Sequence, residues 1–186
     1  FSFLQEAHKQ AVDELYMLGD LFEYWIGEDC APEYFSGLQK VCQQLTDNGM
    51  RLYFLAGNRD FLVNQSTCHA FHATLLPEEV VIQRNHRHLY LLHGDQLSTD
   101  DTAYQYYRWL SHQSWIKSMY LKAPLACRAF IARFLRGKKH HAYDAPHLYK
   151  IRPNTARLRK EMASLSSPYC IQGHVHYLSL IHISEP

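Results

Sequence analysis

Four short apolar runs, each ending beside a glycine and a polar ligand-type residue, set the rhythm of this chain. Residues 15–18 run into Gly19-Asp20, and residues 52–56 into Gly57-Asn58-Arg59-Asp60. Residues 89–92 run into His93-Gly94-Asp95, and residues 169–172 into Gly173-His174-Val175-His176. Apolar runs of this length, bounded by turn residues, read as buried strands. Glycine lets the backbone turn sharply where each strand stops. In open α/β folds, ligands bind outside the carboxyl ends of strands. The polar residues that recur at these four ends are therefore the first candidates for a site.

Between the runs the period changes to that of helices. Residues 2–14 place Phe3, Leu4, Ala7 and Ala11 on one side and predict a helix. Pro32 opens a second helix through residue 45, with Phe35, Leu38, Val41, Cys42 and Leu45 as its inner stripe and Asn48-Gly49 as its stop. Residues 61–71 predict a third. Asn58 and Arg59 have a plain alternative role at its start, with Asp60 as its N-cap. Residues 80–83 and 88–92 predict an antiparallel hairpin turning through Arg84-Asn85-His86-Arg87, a turn poor in glycine. A long helical pattern over 103–120 carries Tyr104, Tyr107, Trp109, Trp115, Met119 and Tyr120. Pro124 starts another, where Leu125, Ala126, Ala129, Phe130 and Phe134 alternate with Arg128, Arg133 and Arg136. Residues 137–153 read as polar and irregular, and 154–162 as a short helix. The aromatic loop Phe22, Tyr24, Trp25, Ile26 fits either core packing, including a lid over the sheet edge, or a substrate wall.

Composition narrows the class. The chain has 186 residues, 47% of them hydrophobic, enough for one domain with a sizeable core. Its formal net charge of +1 points to no partner. The charge is unevenly spread, with ten Lys or Arg against the single acid Asp144 between Arg128 and Lys160. The basic helix after Pro124 suits an anionic membrane surface, and equally an ordinary helix with a solvated cationic face. Five scattered Cys with no C-x-x-C pair indicate neither a zinc knuckle nor a disulfide framework, and favour a reducing compartment. No apolar run has the length of a membrane span, and no signal-peptide pattern is present. Nothing points to nucleic acid or to an obligate protein partner.

The strand-end residues are the donors that a hydrolytic two-metal site requires. Such a site needs hard anionic oxygens and neutral imidazoles around two ions about 3.5–4 Å apart. Asp20 offers two carboxylate oxygens for a bridge, Asn58 an amide oxygen, and His93, His174 and His176 ring nitrogens. His174 and His176 are two apart, which on an extended segment puts both rings on the same side. Any one of these residues fits an ordinary turn. All of them behind apolar runs in one chain predict a joint metal site. Mixed carboxylate, amide and imidazole ligands suit manganese, with iron, cobalt and zinc as rivals.

The ordered set Gly-Asp, Gly-Asn-x-Asp, His-Gly-Asp and Gly-His-x-His resembles the calcineurin-like metallophosphoesterases. Within them, Leu18-Gly19-Asp20-Leu21-Phe22-Glu23, Trp25-Ile26-Gly27, Gly57-Asn58-Arg59-Asp60-Phe61-Leu62, Leu75-Leu76-Pro77-Glu78-Glu79 and His93-Gly94-Asp95 with Thr99-Asp100-Asp101 resemble the bacterial UDP-2,3-diacylglucosamine diphosphatases. The resemblance implies a two-sheet α/β sandwich with a helical cap inserted over 102–165. It implies a manganese enzyme, peripheral on the cytoplasmic face of the inner membrane. Its substrate would be UDP-2,3-diacylglucosamine, hydrolysed to UMP and 2,3-diacylglucosamine 1-phosphate in lipid A biosynthesis. By motif position it implies Asp20 as the bridging ligand, Asn58, His93 and His174 on one metal, and His176 on the other. Asp20, Asn58, Arg59 and His93 form the implied catalytic set. Asn58, Arg59, Asp101, Lys139, Tyr143 and His174 are the implied substrate contacts, Arg59 on phosphate and Asp101 on the glucosamine head.

Two departures accompany the resemblance. Family members carry an earlier Asp-x-His on a first strand, and the start at Phe1 would lie just beyond it. The family's Ser, Asn and Lys in the cap are matched by Lys139, Tyr143 and Pro146, and Pro146 cannot replace an ammonium group. Residues 179–186 resemble translated sequencing-adaptor sequence and are assigned no function. The expectation is one metallophosphoesterase domain, truncated at both ends. A general phosphodiesterase or protein phosphatase of the same superfamily is the enzyme alternative, and a non-enzymatic binding domain the other.

Overall fold

The computed structural model describes residues 12–140, 153–167 and 169–174, with 136–140 as helical backbone only. The chain is α/β, as expected, and divides into two compact units on either side of the Pro77–Glu78 bond. Each unit has its own three-stranded sheet.

In the first unit β1 (Glu14–Leu18), β2 (Arg51–Leu55) and β3 (Ala73–Leu75) form a parallel sheet in that order. Parallel neighbours require a crossover, and α1 (Phe35–Asp47) makes the one between β1 and β2. Its stripe buries Leu38, Cys42 and Leu45. It ends at Asn48 and at Gly49 with φ 91°, and the Met50 N–H returns to the Leu45 carbonyl at 3.1 Å. The aromatic loop packs inward, which settles its two readings for three of its four residues. Phe22, Trp25 and Ile26 are buried and only Tyr24 is exposed. The Phe22 ring lies 4.6 Å from Trp25 and 5.9 Å from Phe35.

Two helix expectations differ from the structure at their ends. Residues 2–11 of the first lie outside the described residues, and its last residue, Glu14, opens β1. Glu14 pairs in register with Arg51 and bridges to its guanidinium at 2.6 Å, so strand pairing overrides the helical period. The helix expected over 61–71 is confined to α2 (Gln65–Ala70). Asn64 is its N-cap, accepting from the Thr67 N–H at 2.9 Å, because the Asp60 carboxylate is engaged elsewhere. The short strand β3 had no clear sequence signal.

In the second unit β4 (Glu79–Arg84) pairs antiparallel with β5 (Arg87–Leu92), and β5 pairs parallel with β6 (Tyr169–Gln172). The expected hairpin turns through Asn85 and His86, both left-handed at φ 49° and 62°. A two-residue turn with both φ positive matches strand twist, and asparagine tolerates it without glycine. Between β5 and β6 run α3 (Thr102–Ser111), α4 (Ser114–Lys122), α5 (Leu125–His140) and α6 (Thr155–Ser164). Leu158 and Met162 of α6 join Tyr90, Leu92 and Leu97 in the core of this unit.

The single helix expected over 103–120 is two helices. Gln113 Nε2 takes the Trp109 carbonyl at 2.9 Å, the Gln113 N–H moves to the Leu110 carbonyl at 3.1 Å, and Gln113 turns extended at ψ 129°, so the ladder stops although the apolar period continues. The irregular stretch expected from 137 begins later, because α5 runs to His140. Residues 141–152 lie outside the described residues. Arg128 departs from the expected cationic face: it is 4% exposed, and its Nε donates to the Ala123 carbonyl at the end of α4 at 2.9 Å. Trp109, Trp115, Met119, Phe130 and Phe134 are exposed. Among the described residues no helix is long and apolar enough to cross a membrane.

His86 is exposed and holds a conformation that costs an L side chain about 1–2 kcal/mol. His86→Gly should therefore raise stability by about 0.5–1 kcal/mol after the entropy cost of glycine. Urea unfolding followed by circular dichroism measures this, and the midpoint should move up with an unchanged slope.

Candidate active site

In the first unit β1 ends at Leu18 and two successive residues turn left-handed, Gly19 at φ 80° and Asp20 at φ 55°. Glycine takes this conformation freely; aspartate does so at a cost of roughly 1–3 kcal/mol, sustained only when its surroundings fix it. The fixing groups come from the turn after β2. The Arg59 N–H donates to Asp20 Oδ1 at 3.0 Å, and Arg59 Nε lies 3.4 Å from Oδ2. Asn58 and Arg59 are half-buried on this turn.

Asp60 ties the two turns together. It is fully buried, and its Oδ2 accepts the N–H groups of Leu21 at 2.7 Å and Phe22 at 3.4 Å. Its Oδ1 accepts the Gly57 N–H at 2.7 Å. Burial raises the Asp60 pKa, the Gly57 N–H opposes that, and the nearby Asp20 charge adds to it; the net shift is upward. Sequence reading gave Asp60 only a helix cap. A carboxylate directly after the Gly-Asn-Arg turn was the available signal for a residue that shapes the turn.

In the second unit β5 delivers His93, which is 2% exposed. Its ring meets that of His174 edge-on, with centroids 5.1 Å apart and planes at 67°. A ring nitrogen of each lies within 4.8 Å of the other's. That is close to the span across one ion whose bonds to imidazole nitrogen are about 2.1 Å. The donor set thus fits a metal cofactor. His174 is not on an extended segment, as the spacing argument assumed: the strand stops at Gln172 and His174 is left-handed at φ 63°. His176 lies outside the described residues, as does Tyr143.

Gly94 follows His93 at φ 111°, and a Cβ there would meet Gln172 Oε1 at 3.0 Å. Asp95 is 3% exposed and accepts from Tyr104 OH at 2.7 Å and Arg108 Nε at 2.8 Å. Burial pushes the Asp95 carboxyl up, but the Arg108 guanidinium and the Tyr104 hydroxyl outweigh it, and the pKa is lowered. Asp101 caps α3, its Oδ1 accepting the Tyr104 N–H at 2.9 Å. Lys139 lies on the backbone of α5. The structure thus pairs Asp20 with Arg59 in one unit and His93 with His174 in the other.

No protein-family model matches the chain. It is 34% identical over 169 residues to a UDP-2,3-diacylglucosamine hydrolase of Wigglesworthia glossinidia brevipalpis, covering 91% of this chain and 68% of the relative. It is 36% identical over 171 residues to the protein of the same name from Escherichia coli O1:K1 / APEC, covering 92% and 70%. The chain belongs to the UDP-2,3-diacylglucosamine hydrolase family. As expected, it is a metallophosphoesterase-type α/β protein and a hydrolase. The family relation spans both the Asp20 turn and the His93 turn, since each match covers more than nine-tenths of the chain.

Asp60→Ala leaves three N–H groups without their acceptor. It should cost at least about 3 kcal/mol in chemical unfolding. Asp60→Asn, which keeps the shape, should cost less. Gly94→Ala combines a left-handed φ with the Gln172 contact and should cost about 1–3 kcal/mol by the same measurement. An unchanged midpoint in either alanine variant would contradict the roles assigned to Asp60 and Gly94.

Proposed function

We propose that the chain hydrolyses the diphosphate of UDP-2,3-diacylglucosamine to UMP and 2,3-diacylglucosamine 1-phosphate, a step of lipid A biosynthesis. The family relation over nine-tenths of the chain carries this reading, and the adjoining His93 and His174 imidazoles support it. Asp20, Asn58, His93, His174 and His176 are the proposed ligands, and manganese is the proposed metal. When bound, the metal supplies Lewis acidity toward the phosphoryl oxygens and activates water.

The chain's own residues orient the reaction. Arg59 is 37% exposed in its side chain, and its guanidinium is turned toward the Asp20 carboxylate, which fixes the direction of the fork. A planar fork of N–H donors matches phosphate oxygens. Arg59 therefore holds the diphosphate while Asp20 holds Arg59. Water attacks the α-phosphorus in line, the bond from that phosphorus to the bridging oxygen breaks, and the bridging oxygen leaves with the sugar phosphate. Cys42, Cys68 and Cys170 do not serve as nucleophiles. Burial pushes the Cys42 thiol up to about 11 and those of Cys68 and Cys170 up to about 12, so they stay protonated near neutrality. Asp101, Lys139 and Tyr143 are the proposed contacts to the rest of the substrate.

Membrane attachment belongs to the same proposal. The exposed Trp115, Met119, Phe130 and Phe134 give α4 and α5 apolar surface suited to a peripheral position on the cytoplasmic face of the inner membrane. Arg133 is exposed beside them. Replacing both Phe130 and Phe134 by Ser should weaken binding to anionic vesicles several-fold in sedimentation, with hydrolysis of a short-chain soluble substrate little changed. Unchanged sedimentation would remove α5 from the membrane contact.

Hydrolysis in oxygen-18 water should place the label in UMP, and label found only in the sugar phosphate would overturn attack at the α-phosphorus. Asp20→Asn should lower kcat/KM by at least about 100-fold, and Arg59→Ala by a comparable factor expressed partly in KM. Hydrolysis of p-nitrophenyl phosphate esters without hydrolysis of the nucleotide-linked lipid would favour a general phosphoesterase instead.

A further inference from the structure

Helix α3 grips the turn that carries His93 with three side chains. Gln105 Nε2 donates to the Asp95 carbonyl at 2.9 Å and to the Ser98 carbonyl at 3.1 Å. Tyr104 OH and Arg108 Nε converge on one oxygen of the Asp95 carboxylate, at 2.7 and 2.8 Å. The other arm of Arg108 reaches Glu78, just before β4, at 2.5 Å. His112 lies 3.4 Å from the same Glu78. Arg108 thus joins the segment entering the sheet, the turn leaving it, and the first helix of the insertion.

Stability alone is a weak reason for such a cluster. Taking a carboxylate and a guanidinium out of water costs several kcal/mol, and well-packed apolar residues often replace a buried pair without loss. What apolar packing does not supply is direction. Two donors on one oxygen fix the Asp95 carboxylate, and through it the short backbone path Gly94–His93. On the other side, Gln172 closes against Gly94, which leaves the turn little room to relax.

We infer that Asp95 and Arg108 are positioning residues for His93: α3 holds the turn so that the His93 imidazole faces that of His174. Removing the grip leaves the residue in place but releases its ring. The kinetic consequence rests on the proposed metal-dependent hydrolysis; the geometric content does not.

The test uses the full chain, free of metal, with its histidine rings labelled with nitrogen-15 and the His93 signals assigned by His93→Gln. Arg108→Met should displace the His93 ring signals at fixed pH and lower manganese affinity about 10–100-fold in competition with a fluorescent chelator. Arg108→Lys should restore these only in part, because an ammonium group cannot span Asp95 and Glu78 as a fork does. Arg108→Met combined with Asp95→Asn should recover much of the lost melting temperature without returning the His93 signals. Tyr104→Phe, which deletes one donor, should produce a smaller displacement and serves if the other variants fail to fold. The His93 signals decide the matter. Wild-type signals in folded variants, with only the melting temperature changed, would overturn the inference. If the wild-type chain fails to hydrolyse UDP-2,3-diacylglucosamine, the proposed reaction falls, while the ring signals still decide this inference.

Discussion

A buried carboxylate that collects three backbone N–H groups is the constraint on which the first unit's site depends. Hydrogen bonds to a charged acceptor contribute about 1.5–3 kcal/mol each, and three of them together exceed the cost of one left-handed aspartate. Asp60 takes those bonds from Leu21, Phe22 and Gly57. The turn after β1 and the turn after β2 are therefore one object. Asp20 keeps its strained backbone because Asp60 holds the residues that follow it and the Arg59 N–H holds its side chain. Without Asp60 the two turns would be joined chiefly by the Asp20–Arg59 contacts and the Trp25 N–H on the Arg59 carbonyl.

The second unit meets the same demand with different chemistry. Its turn after β5 also carries a buried acid, but Asp95 is satisfied by side chains of a helix rather than by backbone of a neighbouring turn. The consequence appears in the two pKa directions. Burial dominates at Asp60, where the neutral N–H donors oppose it but do not overcome it, and the like charge of Asp20 adds to it, so the carboxyl is raised. At Asp95 burial is again the largest single effect, but the Arg108 charge together with the Tyr104 hydroxyl outweighs it and leaves the carboxyl lowered. One acid shapes a turn through amides, and the other through a cation that helix α3 supplies.

This difference also explains what the sequence made legible. The strand ends were readable because glycine and a ligand-type residue interrupt an apolar run, and local chemistry alone dictates that stop. Glu14 was read as helix because its partner, Arg51, is far away in sequence. The break at His112-Gln113 was hidden for the opposite reason: the apolar period continues through it, while a side chain takes the helical carbonyl. Asp60 and Asn64 were confused because both precede a helical stretch, and only the demand of the Asp20 turn decides which of them caps it. His174 looked extended from its two-residue spacing, yet a glycine just before it lets the chain leave the strand early.

The basic pattern of the insertion shows how charge read from sequence can merge two roles. Arg128, Arg133 and Arg136 recur at helical spacing and look alike. Arg128 is spent internally: its Nε holds the end of α4 through the Ala123 carbonyl, while Tyr120 OH donates to the Arg128 carbonyl. Its charge is withdrawn from the surface, and a substitution there would loosen the joint between α4 and α5. Any attraction of α5 to an anionic surface must therefore come from exposed cations such as Arg133, each worth about 1 kcal/mol near such a surface. Phe130 and Phe134, stacked with centroids 6.5 Å apart and both exposed, offer apolar area beside that charge. On the proposed reading, α5 meets the membrane through this apolar area and through its exposed cations together, and Arg128 is not one of them.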